Sequence, residues 1–399
     1  METNKKKLMV LGSSYSQVPL IKAAKELGYK TVVATLPGDN PGIKEADEVF
    51  YGDLRNPDEI LAGAQQNKID GIATCCMDTG IKSLGYVCDK MQLKGISEKA
   101  GIISSNKADM KDIFEKSGVS TAKFRKVSSK EELENVINDL QLPLIVKAVD
   151  LQGSLGIYIA RTKDEVRHSY EKTMSLTKEH FCIVEEFIEG NEFGAQAFIY
   201  EGEIIYVLLH NDMTYSSSTA IPVGHSMPFE GDKSIEKIAI EQSKLAIKAI
   251  GLDNCAVNID LIEKDGKVYI IELTGRIGAT CLPELVSIYY GIDIYKMIVL
   301  MAMGENPKSV FENRNAETTP CLAQLLISEK SGTVKDLINK NKIDDNIVDI
   351  SFNINKGSEV EKFTNGSNRI GQVILKGTTL NECKSLLKSV EENITVVFE

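Results

Sequence analysis

Asn258-Ile259-Asp260-Leu261-Ile262-Glu263-Lys264-Asp265-Gly266-Lys267-Val268-Tyr269-Ile270-Ile271-Glu272-Leu273-Thr274-Gly275-Arg276 is the stretch on which the reading of this chain turns. It reads as two strands around an Asp-Gly turn signal, with an acid on each strand and an arginine just past the second. Val257, Ile259 and Leu261 alternate along the first strand, and Tyr269, Ile271 and Leu273 along the second. If those rows share the core face, Asp260 and Glu272 share the opposite one. Two carboxylates and a guanidinium on one face suit Mg²⁺ with phosphates, because hard oxygens hold the metal and the arginine sits beside the reacting anion. Taken alone, the same pattern fits a solvent-facing hairpin.

Register sharpens the expectation. A plain two-residue turn at Asp265-Gly266 pairs Lys264 with Lys267, so partner numbers sum to an odd value. Asp260 then opposes Ile271, and Glu272 falls on the other face. A shared metal face requires an even sum, so a three-residue loop or a bulge is expected in this hairpin.

Composition sets limits around this stretch. A chain of 399 residues is too long for one ordinary core, which predicts two to four domains. No apolar run approaches the ~20 residues of a membrane span. The N-terminus runs straight into a strand, and no signal peptide is expected. The eight cysteines are scattered apart from Cys75-Cys76, with no C-x-x-C or Cys/His cluster. Reduced thiols in a cytoplasm are expected over disulfides or zinc. A net charge of −11 argues against a general nucleic-acid binder and leaves small anionic ligands open.

Residues 7–12 and 30–35 read as strands separated by a helix, and alternating strands and helices continue to about residue 100. This predicts a parallel, doubly wound unit with ligands at the carboxyl ends of its strands. The first turn lacks G-x-G-x-x-G, so a dinucleotide site is not supported. A helix from Lys107 to Ser117 leads into mixed strand and helix. The helix 235–250 stops at Gly251, a natural left-handed cap. Past Asn306-Pro307 the pattern changes to a smaller unit, with strands near 321–327, 347–353 and 370–376, a helix at 380–391 and a last strand at 394–398.

Two upstream blocks carry polar chemistry. Leu144-Ile145-Val146-Lys147 is an apolar strand delivering a lysine, followed by Asp150-Leu151-Gln152-Gly153-Ser154-Leu155-Gly156. Gly153 and Gly156, either side of Ser154, let backbone N–H groups approach phosphate oxygens, with Lys147 as a nearby point charge. It is not a Walker loop. Cys182-Ile183-Val184-Glu185-Glu186-Phe187-Ile188-Glu189-Gly190-Asn191-Glu192 is an apolar strand ending in acids. A strand edge can read adenine, and a carboxylate such as Glu192 can accept both ribose hydroxyls. Each block alone also fits an ordinary turn or a solvated strand end.

In this order, preceded by Asn106-Lys107-Ala108-Asp109, the blocks resemble the ATP-grasp superfamily, and within it carboxylate–amine ligases related to bacterial L-amino acid ligases and purine-pathway synthetases. The resemblance implies an α/β and α+β chain. It has a pre-ATP-grasp doubly wound domain at 1–104 and an ATP-grasp domain at 105–305, with lobes at about 118–185 and 186–305. A C-terminal α+β domain follows at 306–399. It implies ATP, with Mg²⁺ or alternatively Mn²⁺, small-molecule carboxylate and amine substrates, no nucleic-acid or membrane partner, and a homodimer. By the same resemblance Lys107 and Lys147 contact nucleotide phosphates and the loop with Gly153, Ser154 and Gly156 folds over them. Glu185, Glu186 and Ile188 line the adenine hinge, and Glu192 takes the ribose. Asp260 and Glu272 hold the metal, and Arg276 steadies an acyl phosphate. The family's usual asparagine two residues after the second metal acid is here Thr274. Ala220–Pro228 resembles a loop near the acceptor substrate, where His225 contacts substrate, contacts nucleotide phosphate or orders the loop.

The expected reaction is phosphorylation of a carboxylate by ATP, then attack by an amine on the acyl phosphate. Two alternatives stand beside an amino-acid ligase: a purine-type synthetase acting on a phosphoribosyl amine, and a nucleotide-binding protein without catalysis. The first predicts a phosphate cradle in the N-terminal unit, where Gly12-Ser13-Ser14-Tyr15 has one glycine. The second predicts loss of a metal acid or of Arg276, and all three are present.

Overall fold

A computed structural model describes residues 5–151, 156–216 and 220–399. Strands β1 (Lys7–Leu11), β2 (Lys30–Thr35), β3 (Glu48–Tyr51) and β4 (Gly71–Ala73) form a parallel sheet in the order β3-β2-β1-β4. The near-continuous apolar runs of β1 and β2 are buried, as strands covered on both faces must be. A second sheet is antiparallel: β5 (Phe124–Val127), β6 (Leu144–Lys147), β7 (Ile157–Ala160) and β8 (Cys182–Glu186), in the order β5-β8-β6-β7.

The third sheet positions the cleft. It contains β9 (Asn191–Tyr200), β10 (Glu203–Ser216), β11 (Ala220–Met227), β12 (Cys255–Lys264) and β13 (Lys267–Thr274). Along the C-terminal stretch follow β14 (Cys321–Leu326), β15 (Gly332–Asn339), β16 (Ile347–Phe352), β17 (Glu359–Val360), β18 (Gly371–Lys376) and β19 (Ile394–Phe398). The eight-stranded order is β13-β12-β9-β10-β11-β14-β18-β16, so three C-terminal strands extend the large sheet. Strands β17, β15 and β19 make a small separate sheet. The residues 220–227, read from sequence as a loop, are strand β11, hydrogen-bonded to β10 on one side and β14 on the other.

One face of the large sheet is packed by the helix Lys233–Ile250, which contributes Ala239, Ala246, Ile247 and Ile250 to a core with Phe193, Ala195, Val257 and Ile259. Each such large aliphatic side chain contributes roughly 1.5–3 kcal/mol on burial. The helix ends where Gly251 turns to φ 79°, a left-handed cap that a Cβ would strain. Helices Leu282–Tyr290 and Ile294–Ala302 pack in the core that also holds Leu8 and Val10 of β1, joining the parallel sheet to the rest. No single helix among the described residues is long and apolar enough to cross a membrane.

The β12–β13 hairpin has both features that the register argument weighed. Its turn is the plain two-residue one, with Lys264 opposite Lys267 and both Asp265 (φ 52°) and Gly266 (φ 76°) left-handed. A bulge then intervenes: Leu261 pairs with Ile270, but Asp260 pairs with Glu272, leaving Ile271 as the extra residue. The bulge also corrects the expected apolar row on β13. Val268, Ile270 and Leu273 are the core residues, whereas Tyr269 and Ile271 are only partly buried, because the phase of the pleat changes at residue 271.

Candidate functional site

Directly opposed residues of a sheet share a face. Three rows therefore cross the large sheet on the side away from the helix 233–250. Glu272, Asp260, Gly194 and His210 lie in register across β13, β12, β9 and β10. Thr274, Asn258, Gln196 and Leu208 form the row on one side. On the other, Ile262 opposes Glu192 and Asp212 opposes His225. Asp212 is near enough to Glu192 that its charge, after burial, helps push the Glu192 carboxyl up.

Asp260 and Glu272 thus meet as a cross-strand pair of acids. Surrounding protein first, then Glu272 and Asp212, push the Asp260 carboxyl up to about 7. Burial also acts on Glu272, but Lys107, Lys147 and Arg276 outweigh it and hold that carboxyl below its ordinary value. Two like charges on one face, one of them left short of counter-charge, are a donor set that a divalent cation fits. Lys107 Nζ lies 3.1 Å from Glu272 Oε1 and 3.4 Å from the Leu151 carbonyl. Lys107 is delivered here by the first turn of the helix Lys107–Ser117, whose start is fixed by Asn106 accepting from the Ala108 and Asp109 N–H groups.

Lys147 ends β6 and pairs with Glu185 of β8, which also holds Lys111 at 2.5 Å. Glu185 is 2% exposed, so it reaches the cleft only through the lysines it fixes. Lys111 belongs to this centre and was not singled out from sequence. Its signal was position: one turn beyond Lys107, it shares that helix face. Glu186 turns instead to the Gln141 N–H at 3.1 Å. Glu186, Phe187 and Ile188 line a cavity of about 270 Å³ with Pro143 and Tyr269, and neither Lys147 nor either acid of the pair lines it. Of the glycine-rich loop, Gly156 is left-handed at φ 71°; Gly153 and Ser154 lie outside the described residues.

Arg276 is held from another sheet. Its Nε donates to Asp78 Oδ1 at 2.6 Å, and its Nη1 to the Ile277 carbonyl at 3.2 Å. Asp78 follows β4, at the carboxyl end of a parallel strand, the place where such sheets present ligands. The rule pointed to that edge, but no pattern marked the residue. Opposite Thr274, where the family asparagine is missing, Asn258 supplies an amide from the facing strand and donates to Asp260 Oδ1 at 3.0 Å. The Thr274 hydroxyl itself is buried and has no partner among the described residues.

Gly194 has a steric reason. A Cβ there would lie 2.3 Å from His210 Cε1 and 2.5 Å from its Nε2, and that ring is bonded at both ends. Gly194→Ala is expected to cost about 1–3 kcal/mol by overpacking. Thermal unfolding of the variant checks this; an unchanged midpoint would mean the ring is free to move.

Parts of the chain match two family models. The phosphoribosylglycinamide synthetase ATP-grasp (A) domain matches residues 105–215, and the L-amino acid ligase C-terminal domain 2 matches residues 324–399. A crystal structure of phosphoribosylglycinamide synthetase from Anaerococcus prevotii has a TM-score of 0.87 and 47% identity, covering 99% of this chain and 100% of that one. Alanine–anticapsin ligase of Bacillus amyloliquefaciens is 22% identical over 375 residues, 84% of this chain and 79% of its own. The carbamoyl phosphate synthase large chain of Clostridium beijerinckii is 24% identical over 345 residues, 74% of this chain; the match takes in only 31% of that longer protein. With a relative at 47% identity along its whole length and the two-sheet cleft described above, the chain belongs to the ATP-grasp family of C–N bond-forming ligases.

Proposed function

We propose that the chain uses ATP to activate the carboxylate of an amino acid or specialised-metabolite precursor and joins it to an amine, releasing ADP and phosphate. The observation that carries this reading is the bulge that turns Asp260 and Glu272 onto one face, ringed by Lys107, Lys147 and Arg276. A carboxylate is inert to amines until its oxygen is made a better leaving group, and the first step does that by phosphorylation. Enzymes of this family use ATP and a divalent metal; bound to Asp260 and Glu272, Mg²⁺ would neutralise phosphate charge. The chain's own residues do the rest by position and charge. Lys107 and Lys147 face the phosphates, Glu192 the ribose, and Glu186 with Ile188 the adenine. Arg276, fixed by Asp78, offers its fork to the acyl phosphate.

The amino-acid reading draws on the L-amino acid ligase C-terminal domain match and on alanine–anticapsin ligase. The name of the 47% identical relative favours the other reading, a phosphoribosyl amine as acceptor. Against a phosphate cradle in the first sheet, the Gly12–Gln17 loop is closed on itself. The Ser14 N–H donates to Gln17 Oε1 at 3.0 Å, the Gln17 N–H to the Ser14 carbonyl at 3.1 Å, and the Gly12 N–H to the Ala34 carbonyl at 2.9 Å.

ATP is expected to yield ADP and phosphate, and only with a divalent cation and both substrates present. ADP release over a matrix of amino-acid pairs, with a phosphoribosyl amine plus glycine as a parallel arm, separates the two readings. AMP as the product would remove the acyl-phosphate route altogether.

A further inference from the structure

The row beyond Asp260 ends in a cluster with no part in the mechanism above. Asp212 Oδ1 lies 2.9 Å from His210 Nδ1 and 2.7 Å from His225 Nδ1. Both rings are buried, 1% and 5% exposed, and stand edge to face at 4.9 Å. Burial pushes Asp212 up, but the two imidazoles outweigh it and hold the carboxyl well below its usual range. An ionised carboxylate only accepts, so each Nδ1 carries the proton and each Nε2 a lone pair.

The fate of the two Nε2 atoms differs. The Gly278 N–H donates to Gln196 Oε1 at 2.8 Å, which fixes which end of that amide is the donor. Gln196 Nε2 then donates to His210 Nε2 at 3.2 Å and to Asn258 Oδ1 at 2.6 Å. His210 is therefore engaged at both nitrogens and tied, through Gln196 and Asn258, to Asp260. Among the described residues, His225 Nε2 has no hydrogen-bond partner. The charged groups facing the cluster are Glu192 from β9 and Asp260 from β12, with Lys147 of the second sheet acting on Glu192.

We propose that Asp212 is a positioning residue: it locks both histidines as Nδ1–H donors, so that His225 alone presents a nitrogen, Nε2, to an oxygen of the bound nucleotide. This rests on reading the cleft as a nucleotide site. The nucleotide is the ligand indicated because Asp212 and His225 continue the row of Glu192, the carboxylate assigned to the ribose, and not the side of Arg276. A bare Nε2 accepts from a sugar hydroxyl; a protonated one donates to a phosphate oxygen. A serine or asparagine at 225 would offer no ring to be locked in this way.

Full-length chain labelled with ¹⁵N-histidine tests it, since His168, His180, His210 and His225 are the only four histidines. His210 and His225 are expected to show the Nδ1–H tautomer, and MgADP to shift His225 Nε2 while His210 stays put. Adenosine and AMP run in parallel separate a sugar from a phosphate contact: a shift already present with adenosine assigns the sugar. Asp212→Asn is expected to release the tautomer and weaken MgADP roughly two- to tenfold, the worth of one neutral hydrogen bond. His225→Gln, with a polar atom where Nε2 stood, is expected to lose less than His225→Asn, which guards against an Asp212 variant that fails to fold. Nε2–H tautomers, a His225 signal indifferent to bound MgADP, or stoichiometric Zn²⁺ on the same three side chains would overturn the proposal. A wild-type chain that binds no MgADP at all would overturn the nucleotide reading beneath it.

Discussion

Glu272→Gln is expected to lower turnover by at least about 10²–10³-fold while leaving the fold in place. The substitution keeps volume and removes charge. It takes one of two acids from the cross-strand pair and leaves Lys107 facing a neutral amide oxygen in place of its 3.1 Å anion. It also removes the repulsion that helps burial hold the Asp260 carboxyl at about 7, so that group moves back toward the ordinary carboxylate range. ADP release with both substrates, alongside circular dichroism of the same preparation, checks the two halves of the expectation. Undiminished turnover would take the metal away from this hairpin.

The second large effect is on stability. Glu185→Gln is expected to destabilise the β5–β8 sheet by about 3–5 kcal/mol, because Lys111 and Lys147 would be left buried without their anion. Burial raises the Glu185 carboxyl, but the two lysines outweigh it and hold it down at about 2. One carboxylate cannot fully satisfy two ammonium groups, and burial accordingly pulls Lys111 below its ordinary value. With the folded value depressed, the contribution is full above the unfolded value near 4.5 and is lost as pH falls toward about 2. Hydrogen exchange of the β6 and β8 amides reads the local loss, and acid titration of the wild type reads the window. Exchange as slow in the variant as in the wild type would show that the lysines find other partners.

Much of this was legible because local pattern and fold agreed. Apolar runs marked β1, β2 and β6, and Gly251 marked a helix end. The Asp260–Glu272 relation was legible for a different reason: a plain two-residue turn puts these two acids on opposite faces, so a shared face called for a three-residue loop or a bulge, and the structure has the bulge. Its position at Ile271 was not legible, because Val268, Tyr269, Ile270 and Ile271 form an unbroken apolar run in which any could have been the extra residue. Asp78 and Lys111 stayed hidden because their partners, Arg276 and Glu185, are far along the chain, and Asp212 because its contact with His225 needs the pairing of two strands. Pairing of that kind belongs to topology. The resemblance implies a loop at 220–228, but residues 220–227 form strand β11; Pro222 and Gly224 are tolerated there beside the β10 irregularity at Met213/Thr214.

The contact between Lys107 and Glu272 gives one acid of the cross-strand pair a counter-charge tethered to the chain itself. If Asp260 and Glu272 take the metal as proposed, a free divalent ion would have to compete with a tethered ammonium that never diffuses away. A nucleotide arriving with its metal already attached would bring the replacement partner along, its phosphates taking Lys107 while Asp260 and Glu272 would hold the metal. On the proposed nucleotide reading, Lys107 would act as a gatekeeper on the order of arrival, favouring the metal–nucleotide complex over either component alone.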